Sequence, residues 1–217
     1  MTEPLLYPEI IIHQPDSFHP SLSREQFDIE KFMGKWHVVQ STLPLWKSRS
    51  DVTITYSQIA TSSPDVVKFD DIVEYRSRAS PGSARSRIVG VDTLVTTHHG
   101  APEGYKSGVS YHWRGKGWSV LTSLTLTIHL FTLPFFYFAR LMIATSNWQV
   151  LGYNPDLGWA VTYFSKTLFT PAGLDVYVRD PTVVSEEVVK GILEATKNVG
   201  GEIGSLAEDF FEVPVTE

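Results

Sequence analysis

In the segment VVKFDDIVEYRS (66–77), Val67, Phe69, Val73 and Tyr75 share one face of an extended chain, and Lys68, Asp70, Glu74 and Arg76 share the other. Successive side chains of a strand point to opposite faces, so this alternation predicts a strand with one buried and one wet side. Similar short runs, rich in Val, Thr, Ile and aromatic residues, occupy 35–42, 51–59, 86–95, 108–118, 147–153, 159–169 and 174–179, with Gly, Pro, Ser and Asp clusters between them. Eight such runs in succession are the pattern of an antiparallel meander, and eight strands suffice to close a small barrel. Several of the other strands are apolar on both faces, so their pattern does not separate inward from outward positions.

One segment changes period. After Ser185, a plausible N-cap, Glu186 and Glu187 suit the positive start of a helix, Lys190 and Lys197 lie further along, and Gly200 follows as a stop. Val188, Ile192, Ala195 and Val199 recur at helical spacing, an apolar stripe that the outside of a barrel would cover. Ile203, Leu206 and Phe210 repeat the spacing in a second short element. At the other end, four prolines in the first twenty residues argue against a regular helix or central strand, so 1–26 read as an extended arm and 27–217 as the folded domain.

The segment SVLTSLTLTIHLFTLPFFYFARLMIA fits neither period throughout. It is long enough to span a bilayer, but Thr122, Ser123, Thr125, Thr127, His129, Thr132, Pro134 and Arg140 weaken that reading, and no stable span is expected. As a strand, LTLTIHL alternates well. The reading we favour is that 119–140 is an atypical apolar insertion, a retained intron translated in frame: its Leu, Ser, Phe and Pro codons are pyrimidine-rich, Val120 requires a GT and Arg140 can supply an AG. Excision joins WRGKGW to LMIATSNWQVLGY, making Thr145-Ser146-Asn147 a tight connection, with Leu141 to Ala144 kept as barrel.

Composition narrows the function classes. A net charge of −6 gives no basic field for a nucleic-acid partner. With no cysteine there is no disulfide, thiolate zinc site or Cys nucleophile. The N-terminus lacks the basic start and unbroken apolar core of a secretory signal, and the expected location is cytoplasmic.

The phrase FDIEKFMGKW (27–36) resembles the opening motif of the lipocalins, and LDVYVRDPTVVSEEVVKGIL (174–193) resembles the last barrel strand and helix of the bacterial-lipocalin and apolipoprotein D branch. GYNPDLGWAVTY falls where the second motif of that family lies, although the usual Thr-Asp-Tyr is absent. GKWHVVQSTLPLWK, WRGKGW and KTLFTPAGLDVY further resemble fungal calycin-like proteins. The resemblance implies an all-β, eight-stranded up-and-down lipocalin barrel with a C-terminal helix packed outside. It also implies that Gly34 and Trp36 begin the barrel, with Trp36 crossing its closed end and Arg179 covering the indole.

A barrel of this size holds one small ligand. Strand alternation nominates Tyr56, Val73, Tyr75, Trp113, Trp148 and Tyr163 as lining, each equally readable as packing. Trp46 and Lys47 follow the first strand on the expected lid, a pairing that suits an apolar ligand with an acidic head group. Of the seven histidines only His112, beside Trp113, is a candidate pocket base. His98 and His99 are adjacent and unsuited to chelate together, and no metal site is expected. There is no Gly-x-Ser-x-Gly elbow, phosphate loop or pair of carboxylates at a telling spacing. Arg76, Arg78, Arg85 and Arg87 surround a Ser-Pro-Gly turn and read first as a solvated hairpin tip. Two functions remain, neither needing a cofactor: an intracellular protein that binds a small hydrophobic molecule, or a cofactor-independent cyclase or pericyclase of the Diels–Alder type from secondary metabolism.

Overall fold

The computed structural model describes residues 9–63, 65–80, 82–116, 145–167 and 170–216. Eight antiparallel strands follow one another: β1 (Gly34–Ser41), β2 (Arg49–Ile59), β3 (Lys68–Ser77), β4 (Ser86–Leu94), β5 (Ser110–Gly115), β6 (Thr145–Asn154), β7 (Trp159–Phe164) and β8 (Gly173–Val178). Each pairs with the next, and β1 pairs with both β2 and β8, so the sheet closes into an up-and-down barrel. All eight lie at the runs that alternation marks. The insertion at 119–140, with the retained Leu141 to Ala144, lies outside the described residues. The expectation for Thr145-Ser146-Asn147 is corrected. These residues are the first rungs of β6, with Thr145 opposite Arg114 and Asn147 opposite His112, because β5 supplies the ladder partners that a turn would leave unmet.

One end of the barrel is shut from below. Asp28 caps the short helix α1 (Ile29–Phe32) by accepting from Lys31 N at 3.0 Å, and α1 drives Phe32 under the barrel against Trp36, both fully buried. The Trp36 indole N–H donates to Phe32 O at 2.9 Å. Arg179, just past β8, lays its guanidinium 3.5 Å from the Trp36 ring centroid. It also donates to the carbonyls of Lys31, Phe32, Met33 and Lys35 at 2.5–3.0 Å. Gly34 enters β1 at φ +96°, with an Arg179 nitrogen 3.3 Å from where a Cβ would stand, so only glycine combines that backbone with that approach.

The other end is closed along a seam. Only the lower part of β1, Gly34 to His37, pairs with β2. Above it, Gln40 and Ser41 pair with the short strand β9 (Phe211–Glu212) on the side away from β8. The C-terminal strand therefore wedges between β1 and β2, with Val213 N donating to Val39 O (3.0 Å) and Asp51 N to Pro214 O (2.8 Å). Asp51 sits in the left-handed region at φ 52°, where Asp is among the few tolerated side chains, and its carboxylate accepts from Thr216 N at 2.7 Å. The arginine-rich hairpin is not simply a solvated tip. Arg78 donates to Arg49 O and Glu212 O, Arg85 donates to Asp51 O, and Arg76 stands 3.8 Å from the Asp51 carboxylate, so three of its cations fasten the seam.

Outside the barrel, α2 (Glu186–Asn198) starts at Ser185, whose hydroxyl accepts from Val188 N at 3.4 Å. Its buried stripe is Val188, Ile192 and Thr196, with Ala195 only half-buried. Thr196 replaces the expected Ala195 because its hydroxyl is satisfied by the Ile192 carbonyl one turn back, at 2.7 Å. With α3 (Gly201–Ala207), this helix covers Leu151, Trp159, Val161, Leu174, Val176 and Val178, the outward residues of β6 to β8. Among the described residues no helix is long and apolar enough to cross a membrane. Replacing Arg179 by Met is expected to cost about 2–4 kcal/mol in urea unfolding, and Lys to recover less than half of that, since an ammonium cannot span several carbonyls and lie flat on an indole.

Candidate functional site

Closure sorts every strand residue by parity. Trp36, Val38, Ile54, Tyr56, Phe69, Tyr75, Tyr111, Trp148, Val150, Ala160 and Tyr177 form the interior cluster. Its lower half is a packed aromatic column. Phe32 stacks on Tyr56 (centroids 5.4 Å), Tyr56 on Trp148 (5.7 Å) and Trp148 on Tyr111 (4.6 Å), while Phe69 meets Tyr56 and Tyr111 edge-on. Toward the other end, Val73, Ile88, Trp113 and Phe164 also pack on this cluster, yet each keeps part of its surface accessible. The interior is thus packed solid in its lower half and only partly buried above it.

Three carboxyls share this interior. Asp71 on β3 and Asp92 on β4 are diagonal neighbours, since Asp71 faces Gly90 and Asp92 faces Phe69 across the ladder. Two buried carboxyls this close repel when both are ionised, which favours a proton on one of them. The Trp148 indole N–H donates to Asp92 at 2.7 Å, and that of Trp113 serves Asp71. The Trp113 ring lies flat on Gly90, 2.0 Å from where a Cβ would be, so glycine there makes room for the indole. Burial raises both acids above the ordinary carboxylate range, and for Asp92 the neighbouring Asp71 charge adds to it. Burial likewise raises the phenols of Tyr56, Tyr111 and Tyr177, which stay protonated.

The third carboxyl holds the lid. Asp175 on β8 is fully buried and accepts from Ser41 Oγ (2.5 Å) and from the Trp46 indole N–H (3.2 Å). Trp46 ends a 3-10 turn, Pro44–Trp46, and packs edge-on against Tyr75 at 6.0 Å, sealing one side of the mouth. Burial raises Asp175 to about 7, and the hydrogen bonds from Ser41 and Trp46 work against that rise.

Trp46, Tyr56, Val73, Tyr75, Trp113 and Trp148 therefore come together inside the barrel. Tyr163 and His112 do not. Tyr163 points outward on β7, where its hydroxyl stands 3.4 Å from Glu202 in α3. His112 alternates with the inward Tyr111 and Trp113, is exposed, and pairs with Asn147 on the outer face at 2.8 Å. Lys47 also turns away from the mouth, 5.4 Å from the Phe211 ring, so it brings no cation to the interior. The sequence reading found no carboxylate pair, yet the register makes one from residues on adjacent strands. Among the described residues no group of His, Asp or Glu could hold a metal ion.

No protein-family profile matches the chain, and no curated protein is detectably similar to it in sequence. Solved structures are similar in fold. Apocrustacyanin A1 from lobster superposes with a TM-score of 0.55 at 13% identity, covering 96% of this chain and 92% of that one. Insecticyanin from the tobacco hornworm Manduca sexta gives 0.51 at 15%, covering 97% and 86%. The tryptamine complex of the amine binding protein of Rhodnius prolixus gives 0.50 at 10%, covering 86% and 80%. A closed eight-stranded antiparallel barrel with a helix packed outside after the last strand is the lipocalin fold, and these structural neighbours are lipocalins.

The buried acids set a pH dependence. A carboxyl whose pKa is higher folded than unfolded binds more protons in the folded state, so its stabilising effect is full at low pH and is lost as pH rises to its folded value. With Asp175 raised from 3.8 to about 7, stability falls between pH 5 and 8 by about 2–3 kcal/mol from this group alone. Urea midpoints across that range will show a shallower fall in Asp175→Asn, even though the amide loses one of the two hydrogen bonds.

Proposed function

We propose that this protein binds a small hydrophobic molecule in the upper half of its barrel. The observation that carries the reading is the set of inward Val73, Ile88, Trp113 and Phe164, which come from four strands and remain accessible above a packed aromatic floor. Apolar walls with a few polar groups at one level are the usual build of a small-molecule site. That another protein of this fold, from Rhodnius prolixus, forms a complex with tryptamine supports the reading at the level of fold. With it we keep a cytoplasmic location, a kinship with the bacterial-lipocalin and apolipoprotein D branch on the motif at 174–193, and one with the fungal calycin-like proteins on GKWHVVQSTLPLWK, WRGKGW and KTLFTPAGLDVY.

One observation favours the cyclase as a second reading. A protonated carboxyl in apolar surroundings donates a hydrogen bond at neutral pH, and the Asp71–Asp92 pair is such a group beside three phenols. An enzyme of this kind accelerates a cyclisation over its uncatalysed rate, and Asp92→Asn removes the acceleration while leaving the binding of a neutral apolar dye intact. A product-formation assay separates the two readings.

Binding itself is checked with Nile red, a neutral apolar dye that brightens in dry surroundings. Val73 and Ile88 face each other across β3 and β4. Val73→Trp fills the upper half and is expected to weaken dye binding at least about tenfold, whereas Tyr163→Phe and His112→Ala, on the outer face, leave it unchanged.

A further inference from the structure

Building on the reading that the barrel binds a ligand, we propose that this ligand is a hydrophobic primary amine. Its ammonium lies against the Asp71–Asp92 pair, and its apolar body fills the upper half of the barrel.

Among the described residues the interior is rich in acceptors and lacks a cation. Asp71 Oδ1 and Asp92 Oδ2 are buried and have no hydrogen-bond partner among the described residues. The Tyr177 hydroxyl, also buried, lies near those of Tyr56 and Thr162 but makes no well-formed hydrogen bond, and it is within electrostatic reach of both Asp71 and Asp175. No lysine, arginine or histidine is among the groups that act on Asp71, Asp92 or Asp175. The nearest basic influence, Arg24, acts on Tyr111. An ammonium brings three donors and one positive charge to acceptors that have neither.

Position agrees with charge. Asp71 is 7% exposed, while Asp92 is fully buried, so Asp71 is the more accessible of the two. Trp148 and Trp113 turn their indole N–H edges toward the pair. A ligand carboxylate would meet three acids and no counter-charge, which reverses the acidic head group suggested by Lys47. A wholly apolar ligand would leave the unpaired oxygens as they are. Asp175 has both of its oxygens occupied, by Ser41 and Trp46, whereas Asp71 and Asp92 each keep one buried oxygen without a partner.

Two adjacent carboxyls in a dry site hold at least one proton at neutral pH, and an ammonium stabilises the ionised form, so binding releases protons. The titratable groups facing the pair are Tyr56 from β2, Tyr111 from β5 and Tyr177 from β8, with Asp175 on the far side of Tyr177 acting on that phenol. The phenols stay protonated, and Asp175→Asn controls for the remaining acid.

Isothermal titration with 2-phenylethylamine, 2-phenylethanol and phenylacetate, at pH 5 to 8 and in buffers of differing ionisation enthalpy, tests this. The amine is expected to bind at least about tenfold more tightly than the alcohol, with affinity rising with pH and protons released, while the acid does not bind. Asp71→Asn and Asp92→Asn each weaken the amine by about 30-fold or more and leave the alcohol within about twofold. If a variant does not fold, the wild-type pH profile and proton release decide. Equal binding of amine and alcohol without pH dependence overturns the amine assignment and leaves the barrel-binding reading standing. Failure of Nile red and all three compounds to bind overturns both.

Discussion

Arg179 joins the end of the last barrel strand to the start of the first. Its guanidinium lies on Trp36 and gathers carbonyls from α1 and the head of β1, groups that have no ladder partner where the chain turns from helix to strand. A planar cation with several donors can do both at once. With the lower end sealed in this way, Phe32 is held under the barrel and the aromatic column has something to stack on. Closure also assigns each strand residue to inside or outside, and all the chemistry of the interior follows from that assignment.

The opposite end is held by different means. There β1 and β2 diverge, and the C-terminal strand fills the gap, fastened by Asp51, Thr216 and the arginines of the β3–β4 hairpin. The lid turn at Pro44–Trp46 is tied to the same region from within, by Asp175. One end is a packed plug built on an indole, and the other is a set of polar ties around a mouth. The division of the interior into a solid lower half and a partly buried upper half follows from that difference.

Much of the architecture was legible. Period-two alternation marked all eight strands, and the Ser185 cap with its following glutamates marked α2. Tyr163 reads as inward from the sequence because β7 is apolar on both faces, its outer face being covered by helices, and His112 reads as a pocket base because it adjoins Trp113 on a barrel strand. Local pattern cannot tell an outer face under a helix from an inner face under a barrel. The seam was not legible either, since it joins residues 51 and 216 across the whole chain. Thr196 shows a smaller version of the same limit, as its burial depends on a hydrogen bond that hydropathy does not record.

The interior acids were the largest omission, although a signal for them existed. On β3 the buried face reads Val67, Phe69, Val73, Tyr75, and the position skipped in that series is Asp71. On β8, Asp175 has the parity of Tyr177. A carboxyl at a buried-parity position is either a register error or a paid-for polar group, because shifting the strand by one residue would turn its whole apolar set outward. Here the register is pinned by Phe69 and Tyr75 on the same face, so the acid must go inside. Once Asp92 arrives diagonally from β4, the two acids can coexist only by sharing a proton or meeting a cation. The sign of the site is therefore set by strand parity, independently of the charged residues that decorate the mouth.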